Sequence, residues 1–355
     1  MKPPISRRAW FSSLRRIMTS GAAGIVAANI SPRETLLSQT SQSTPLTTPN
    51  IEWTGHSYVN PQKVLLWENT RKEYREALES GKVKAAIIPT GSTEQHNEHL
   101  ALICDTACAT MISQQAALRL YPRVTVSTPC PLGYAPYHMG RKGTLTLRKE
   151  TFTAYVYDVI KSLRAHGIRT VLVVNGHNGN HGPLLEAMPE WRRGLGMTLD
   201  SATYLTGFKE GEPQGQEELA KFLTSYRLLL EGKLDTMARR TGMSHASEIE
   251  TSILMAAYPD RVRPFTMEEY DQAKLNFESG FSPEVWEYLE PFKEQRGPTA
   301  KNPENARDRA RQEQALFATK EKGEQLITMA TQFIADRVQK MIEATEKGTP
   351  WPPKA

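Results

Sequence analysis

Residues 170–181 read TVLVVNGHNGNH, an apolar β-branched run that ends directly in a polar loop with two histidines. Such a run is typical of a buried β-strand. Residues 83–99, VKAAIIPTGSTEQHNEH, repeat this arrangement earlier in the chain. Loops that follow parallel strands meet at the carboxyl edge of a sheet. The two stretches therefore predict a parallel sheet with a site where both loops converge.

Strands and helices alternate around these two stretches, which favours an α/β fold with a mostly parallel sheet covered on both faces. The segment 264–299 is rich in aromatic residues, which is typical of an insertion over a site, of a subunit contact or of a plain surface excursion. The expected strands cover residues 83–88, 124–128, 170–174 and 198–204, and the expected helices cover residues 104–120, 151–166, 183–195, 217–230, 246–258 and 320–342.

The basic character of the chain is confined to its start. Residues 1–30 contain Lys and Arg but no acid, and they account for the whole net charge of +5. The remainder is neutral overall, so it lacks the basic field that a nucleic-acid partner requires. No apolar run reaches the length of a membrane-spanning helix. We therefore expect neither nucleic acid nor membrane as a partner.

The first residues resemble an export signal. Ser6-Arg7-Arg8-Ala9-Trp10-Phe11 is similar to the twin-arginine motif, and a weakly apolar stretch at 18–30 follows. A disordered basic tail is the alternative interpretation. We predict an export signal at 1–35, a flexible leader at 36–55, a catalytic domain at 56–345 and a periplasmic or otherwise exported protein.

Candidate metal ligands lie in the two polar loops. Glu94 and His96 occur in the first loop, Asp105 follows it, and His177 lies in the second. Histidine nitrogen together with carboxylate oxygen suits Zn²⁺, Mn²⁺ or Fe²⁺, and one carboxylate can bridge two ions. A single Glu-x-His pair is also typical of an ordinary surface loop, but two such loops after strands favour a metal site.

A third polar segment, residues 245–252, reads HASEIETS at the start of a predicted helix. His245 and Glu248 are three residues apart, which places them on one face of a helix. Acidic residues that simply favour a helix N-terminus are the alternative. The three cysteines lack metal-site spacing and are expected to pack in the core.

These motifs together resemble those of the creatininase family. Residues 91–106 (GSTEQHNEHLALICDT), 174–180 (VNGHNGN) and 245–252 are similar to its three metal motifs in the same order. Residues 135–147 (APYHMGRKGTLTL) and 318–327 (ATKEKGEQLI) resemble its middle loop and its final helix. The resemblance extends from about residue 83 to residue 334, and it implies a three-layer α/β/α sandwich, a homo-oligomer with a hexamer as the expected form, and two divalent metal ions.

The resemblance also implies roles for individual side chains. It makes Glu94, His96, Asp105 and His177 metal ligands, with Asp105 the bridge. The enzyme that names the family has a further ligand, a glutamate two residues after the second-motif histidine, and this chain has Gly179 there. Glu248 is the expected replacement, and Zn²⁺ is the expected metal, with Mn²⁺ or Fe²⁺ as alternatives.

Four further histidines have expected roles. By the same resemblance His245 is the proton-transfer residue, and His138 is a substrate contact. We expect His99 to orient a ligand, and His181 to be an ordinary, partly buried helix residue.

The expected reaction is hydrolysis of the C–N bond of a non-peptide or small amide by a hydroxide that bridges the two metal ions. Creatinine itself is not expected as the substrate, because the positions that hold it in the family are changed at Ala135, Asn178, Thr241 and Gly242. Asn178 remains a candidate substrate contact. A peptidase or a deformylase of the same family, an exported metal-binding protein without catalysis, and a scaffold subunit that has lost its chemistry are the alternatives.

Overall fold

A computed structural model describes residues 63–204, 219–232, 245–268, 281–292 and 306–353. The predicted export signal at 1–35 and the leader at 36–55 lie outside these residues and stay predictions. Thr241 and Gly242 also lie outside them. Among the described residues, no helix combines the length and the apolar character needed to cross a bilayer.

Four parallel strands form the centre of the fold. They are β1 (Ala85–Thr90), β2 (Val124–Val126), β3 (Thr170–Asn175) and β4 (Thr198–Thr203), in the order β2-β1-β3-β4. Every residue of β1 and β3 is buried, because both faces of these central strands are covered.

Helices pack on both faces of this sheet, so the expected α/β/α sandwich is confirmed. Ile87 points into the core on one face and Ile88 into the core on the other, as the alternation of a strand requires. The helices are α1 (Arg71–Glu79), α2 (Cys104–Arg119), α3 (Lys149–Ala165), α4 (His181–Leu195), α5 (Thr224–Leu230), α6 (Glu248–Ala257), α7 (Pro283–Leu289), α8 (Ala306–Ala315) and α9 (Lys320–Lys347).

The two helical layers have different members. Helices α3 and α4 cover one face of the sheet. Helices α2, α6 and α9 cover the other, where α9 lies along both α2 and α6. The metal motifs therefore enter at the amino ends of α2 and α6 and in the loop after β3.

Helix α6 begins two residues later than expected. Ala246 has a φ of 52°, in the left-handed region, and Ser247 is extended. Neither conformation continues a helix, so the first helical residue is Glu248. The consequence is that His245 lies outside the helix on which Glu248 is placed.

The aromatic segment reaches the loop between β2 and α3. Among its described residues, Phe292 makes an edge contact with Tyr137 at 5.7 Å between ring centroids. Phe281 lies so close to Gly140 that a Cβ there would come within 3.1 Å of its ring. Phe281 and Phe292 therefore pack against the loop that carries His138, which favours the insertion over a site among the three alternatives.

Candidate metal centre

The loops after β1 and β3 are tied together at the carboxyl edge of the sheet. The Thr90 hydroxyl donates to Asn175 Oδ1 at 3.2 Å, and Asn180 Nδ2 donates to the Gly91 carbonyl at 3.0 Å. Gly176 lies against α2, where an added Cβ would be 2.1 Å from the Asp105 carbonyl oxygen. Only glycine permits this approach, and it places the second loop beside the start of α2.

The structure brings the predicted ligands Glu94, His96, Asp105 and His177 into one buried group. His177 Nδ1 lies 3.1 Å from Glu94 Oε2 and 3.0 Å from Asp105 Oδ2. On the opposite side, His96 Nε2 lies 3.0 Å from Asp105 Oδ1. Asp105 therefore faces a different histidine with each oxygen, which is the arrangement that a bridging ligand needs.

Among the described residues, three carboxylate oxygens in this group accept no hydrogen bond of good geometry and face only the histidine nitrogens. They are both oxygens of Glu94 and Oδ2 of Asp105, all fully buried. Buried carboxylate oxygens normally accept hydrogen bonds, so oxygens that face only metal-binding side chains indicate a cation that the protein itself does not provide. The donor set of imidazole and carboxylate fits a divalent transition metal ion.

Electrostatics in the metal-free group support the same interpretation. Burial raises the pKa of Glu94, but His138 and His177 outweigh it and hold that pKa well below its usual value. Burial lowers the pKa of His177, but Glu94 outweighs it and raises that pKa well above the usual value. The group thus holds negative charge at Glu94, and without metal it needs protons on its histidines to balance that charge.

Hydrogen bonds orient each ligand ring. His177 Nε2 lies 3.1 Å from the Tyr134 carbonyl, to which it donates, so its Nδ1 faces the carboxylates. His96 Nδ1 donates to the Glu94 carbonyl at 3.2 Å, so its Nε2 faces Asp105. A metal-binding histidine is commonly fixed in this way through its second nitrogen.

The prediction that Glu248 lies with the other ligands is wrong. Its carboxylate accepts hydrogen bonds from the Thr224 and Ser225 amides at 3.0 and 2.8 Å and from the Ser225 hydroxyl. Lys322 Nζ completes this shell at 2.6 Å. The family resemblance and helical spacing from His245 both suggested Glu248, but Ala246 and Ser247 are not helical, so the two side chains do not share a helix face.

Glu250 occupies the place expected for Glu248. Its Oε2 lies 3.5 Å from His96 Nε2, and it accepts hydrogen bonds from the Ala246 amide and from the Tyr204 hydroxyl at 3.2 Å on Oε1. Candidate ligand atoms of His96, Asp105 and Glu250 lie within 4.8 Å of one another, and Cys104 belongs to the same group. Sequence reasoning missed both Glu250 and Cys104.

His245 and His138 lie together beside Glu94. His245 Nδ1 is 3.4 Å and His138 Nε2 is 3.5 Å from Glu94 Oε1, and the two rings stack at 4.6 Å. Gln95 Nε2 donates to both rings, at 3.1 Å to His245 Nε2 and at 3.0 Å to His138 Nδ1. Burial and the neighbouring His96 hold the pKa of His245 well below its usual value in the metal-free site.

Gln95 is a further residue that sequence reasoning missed. Its position between Glu94 and His96 in the first motif was the only signal. It orients the rings of the proton-transfer candidate and of a substrate-contact candidate.

The other predicted residues lie around this group. Asn178 is exposed at the start of the turn before α4, and His181 is exposed rather than partly buried. His99 does not touch a candidate ligand; its ring nitrogens contact Thr251 at 2.9 Å and Gln312 at 3.1 Å. It therefore supports the helix that carries Glu250 instead of orienting a ligand directly.

Gly179 cannot carry the carboxylate that the family's name-giving enzyme has there. An added Cβ would lie 2.3 Å from the Tyr134 carbonyl oxygen and the Tyr137 hydroxyl, and 2.4 Å from His177 Nε2. The space is already filled, so the fifth ligand, a carboxylate, has to come from another element. Glu250 on α6 supplies it from the opposite side.

Comparison with known proteins shows what the chain is similar to. A family model for creatininase, described as creatinine amidohydrolase, matches residues 67–338. The creatinine amidohydrolase of Pseudomonas putida is 25% identical over 291 residues, covering 80% of this chain and 99% of that enzyme. The 3-dehydro-scyllo-inosose hydrolase of Thermotoga maritima is 36% identical over 118 residues, covering 33% of this chain but only 37% of that enzyme.

The fold has a solved counterpart as well. The crystal structure of a creatinine amidohydrolase (creatininase) matches with a TM-score of 0.57 at 25% identity and covers 82% of this chain and all of that one. The matched family model extends over most of the chain and includes all three metal motifs. The chain therefore belongs to the creatininase family of metal-dependent amidohydrolases.

Proposed function

We propose that the site holds two divalent metal ions and hydrolyses the C–N bond of a small, non-peptide amide. Glu94, Asp105 and His177 would hold one ion, and His96, Asp105 and Glu250 the other. The observation that carries this proposal is Asp105, whose two buried oxygens each face a different histidine at 3.0 Å. Zn²⁺ suits these ligands, and Mn²⁺ or Fe²⁺ are the alternatives.

Bound divalent ions would lower the pKa of water to near neutrality and polarise the amide carbonyl. The residues of the chain perform the remaining tasks. His245 delivers a proton to the leaving nitrogen of the substrate. The proton is carried on the Nδ1 atom of His245, which lies 3.4 Å from Glu94 Oε1. Gln95 holds that ring from the other side through Nε2. Neutral amides need such a donor because the nitrogen leaves poorly unless it is protonated.

The pocket supports a substrate other than creatinine. Ala135 is fully buried and its amide donates to the Thr146 hydroxyl, so it offers no side-chain hydrogen bond to a ligand. Asn178 is exposed at the site's edge, and Tyr137 and Phe292 contribute aromatic surface beside His138. His138 and Asn178 remain the candidate substrate contacts. A peptidase or a deformylase of the same family is the alternative reading of this pocket.

Two measurements test the proposal. Elemental analysis of the purified protein should find close to two ions per chain, and Asp105→Ala should lose both, because one carboxylate serves both ions. Full metal content in that variant would remove Asp105 from the site.

A panel of small amides, formyl amides and short peptides should then show the best turnover with a non-peptide amide. Creatinine should be a poor substrate, because a site that lacks the hydrogen-bond partners of a ligand discriminates against it by about 10⁴ or more. A creatinine kcat/KM above about 10⁴ M⁻¹s⁻¹, an ordinary enzymatic value, would contradict this assignment. Two bound ions without turnover of any amide would favour a metal-binding protein.

We also propose export by the twin-arginine route, supported by the sequence at Arg7 and Arg8 alone. Replacing both with lysine should retain the protein in the cytoplasm, since the guanidinium pair is not equivalent to two ammonium groups. Normal appearance of the variant in the periplasm would exclude this route. Family resemblance supports a homo-oligomer, with a hexamer expected, which sedimentation of the purified protein would measure.

A further inference from the structure

Cys104 lies at the half of the centre that contains Glu250. It is the first residue of α2, directly before Asp105, and its side chain is fully buried. Its Sγ, His96 Nε2, and one carboxylate oxygen each of Asp105 and Glu250 all lie within 4.8 Å of one another. The thiol therefore faces the same small space as three candidate ligands.

The other two cysteines provide a comparison within the same protein. Cys108 lies one helical turn further along α2, and Cys130 follows β2; both are buried. In the part of the chain that the structure describes, neither belongs to a group of potential ligands, whereas Cys104 does. Cys108 packs in the core on one face of the sheet, and Cys130 packs in the core on the other.

The two halves of the centre differ in the number of potential ligands once Cys104 is counted. The half at His177 has three protein side chains, Glu94, Asp105 and His177. Three protein ligands leave one tetrahedral position open for water or substrate, as in catalytic zinc sites. The half at His96 has three ligands as well, and Gly179 cannot add another because its surroundings are filled. Cys104 is the fourth side chain within reach of that half.

We propose that Cys104 is a thiolate ligand of the ion held by His96, Asp105 and Glu250. This inference rests on the two-ion centre proposed above. It makes the two ions unequal, with a closed position that has four protein ligands beside an open position at His177. Binding releases the thiol proton to solvent, because only the thiolate coordinates a metal.

The ionisation of Cys104 depends on the metal. Burial, Cys108 and the carboxylates of Glu250 and Asp105 raise the pKa of the Cys104 thiol well above its usual value in the metal-free protein, so a bound cation has to stabilise the thiolate. Thiolate sulfur is a soft ligand that selects Zn²⁺ or Co²⁺ over Mn²⁺. The closed position is therefore zinc-selective, while the open position, with imidazole and carboxylate alone, accepts Mn²⁺ as well.

Cobalt absorption tests the proposal directly. The metal-free full-length protein is loaded with Co²⁺ alone, and its spectrum is recorded in the near ultraviolet and the visible range. A thiolate ligand adds an intense sulfur-to-cobalt charge-transfer band in the near ultraviolet. We expect this band in the wild type and its loss in Cys104→Ala, with Cys108→Ala as the matched control that keeps it.

The double variant Cys108→Ala/Cys130→Ala protects the test against misfolding of Cys104→Ala. Since the chain has three cysteines, Cys104 is then the only thiol left, and the band must remain. Bound Co²⁺ with visible bands but no charge-transfer band, in the wild type or in the double variant, would overturn the thiolate ligand and leave the two-ion centre intact. Failure to bind any Co²⁺ would overturn the centre itself.

Metal affinity gives a second readout that does not depend on turnover. Competition with a chromophoric chelator should show that Cys104→Ala weakens the tighter Zn²⁺ site by more than about 10²-fold, because even groups that only orient a ligand are worth about 10- to 100-fold. Mn²⁺ affinity should change by less than about tenfold. Equal losses for both metals would contradict the selectivity.

Discussion

Replacing Glu248 and Glu250 separately with glutamine tests two roles that lie two residues apart on α6. Both side chains are buried, and both accept several hydrogen bonds. The structure assigns Glu248 to the contact between helices and Glu250 to the metal centre. We expect Glu248→Gln to reduce the stability of the fold and to keep its metal content. We expect Glu250→Gln to lose metal and to keep nearly the same stability.

The magnitude for Glu248 follows from its contacts. Its partner Lys322 is largely buried, with 16% of the side chain exposed, and the N–O distance is 2.6 Å. Removing one member of a buried ion pair costs about 3–5 kcal/mol. Lys322 keeps two acceptors, the Phe317 carbonyl and the Thr224 hydroxyl, so the lower end applies. The free energy of unfolding should fall by about 3 kcal/mol.

The expected result for Glu250 is different. Burial raises the pKa of this carboxyl in the metal-free protein, so a neutral amide of the same shape fits there. A glutamine oxygen still accepts from Tyr204 or from the Ala246 amide. The free energy of unfolding of the metal-free variant should change by about 1 kcal/mol or less, the net value of an ordinary hydrogen bond. The ion at His96 should be lost and about one ion per chain retained.

Two assays separate these outcomes. Urea unfolding followed by circular dichroism is performed on metal-free protein, because bound metal would stabilise the native state and hide the difference. Elemental analysis is performed on reloaded protein after gel filtration. If Glu248→Gln lost metal at unchanged stability, or if Glu250→Gln retained both ions, the assignment of the two glutamates would be refuted.

Three further predictions follow from the geometry. His245→Ala should keep its metal but lose about 10²- to 10⁴-fold in turnover, the usual contribution of a positioned acid or base; metal loss would instead make His245 a ligand. Gly179→Ala should weaken metal binding, because its Cβ would displace the His177 ring, whereas Gly182→Ala, with open space around it, should leave metal content unchanged. Burial lowers the pKa of His99 to about 3, below its unfolded value of 6.5, so the unfolded state takes up a proton first as pH falls. Stability should therefore fall by about 1.4 kcal/mol per pH unit below about pH 6.5 in the wild type relative to His99→Gln, and equal urea midpoints across that range would contradict this.

The fold was predictable because its pattern is local. Apolar runs of strand length alternate with helical periodicity, and each run ends in a loop on the same edge of the sheet. The convergence of Glu94, His96, Asp105 and His177 followed from that rule, and the structure places them together. The bounds of the four strands and of most expected helices differ from the structure by one or two residues, whereas α5 begins at Thr224 instead of residue 217 and α9 continues to Lys347 instead of ending at residue 342.

The remaining part of the site depends on tertiary contacts that local patterns do not encode. The left-handed conformation of Ala246 moves the start of α6, and with it the choice between two glutamates in HASEIETS. Nothing in the composition of that segment favours a positive φ at an alanine. In the sequence, Cys104 could not be distinguished from a cysteine that packs in the core. Only the structure shows that it lies beside Glu250. From the sequence alone, Gly179 indicated only that a carboxylate ligand is missing at this position. The structure shows that Tyr134 and Tyr137 fill the space that a side chain would need.

The contact between Lys322 and Glu248 also orders events during synthesis. The two residues are 74 positions apart, and α9 completes the core on its face of the sheet. At about 5–20 residues per second, a ribosome needs about 4 to 15 seconds to make the intervening chain. Until α9 has left the ribosome, that core lacks the apolar side chains of α9, and the carboxylate of Glu248 lacks the ammonium group of Lys322. The core on this face of the sheet therefore closes only after α9 has been synthesised, well after the strands and the polar loops of the site.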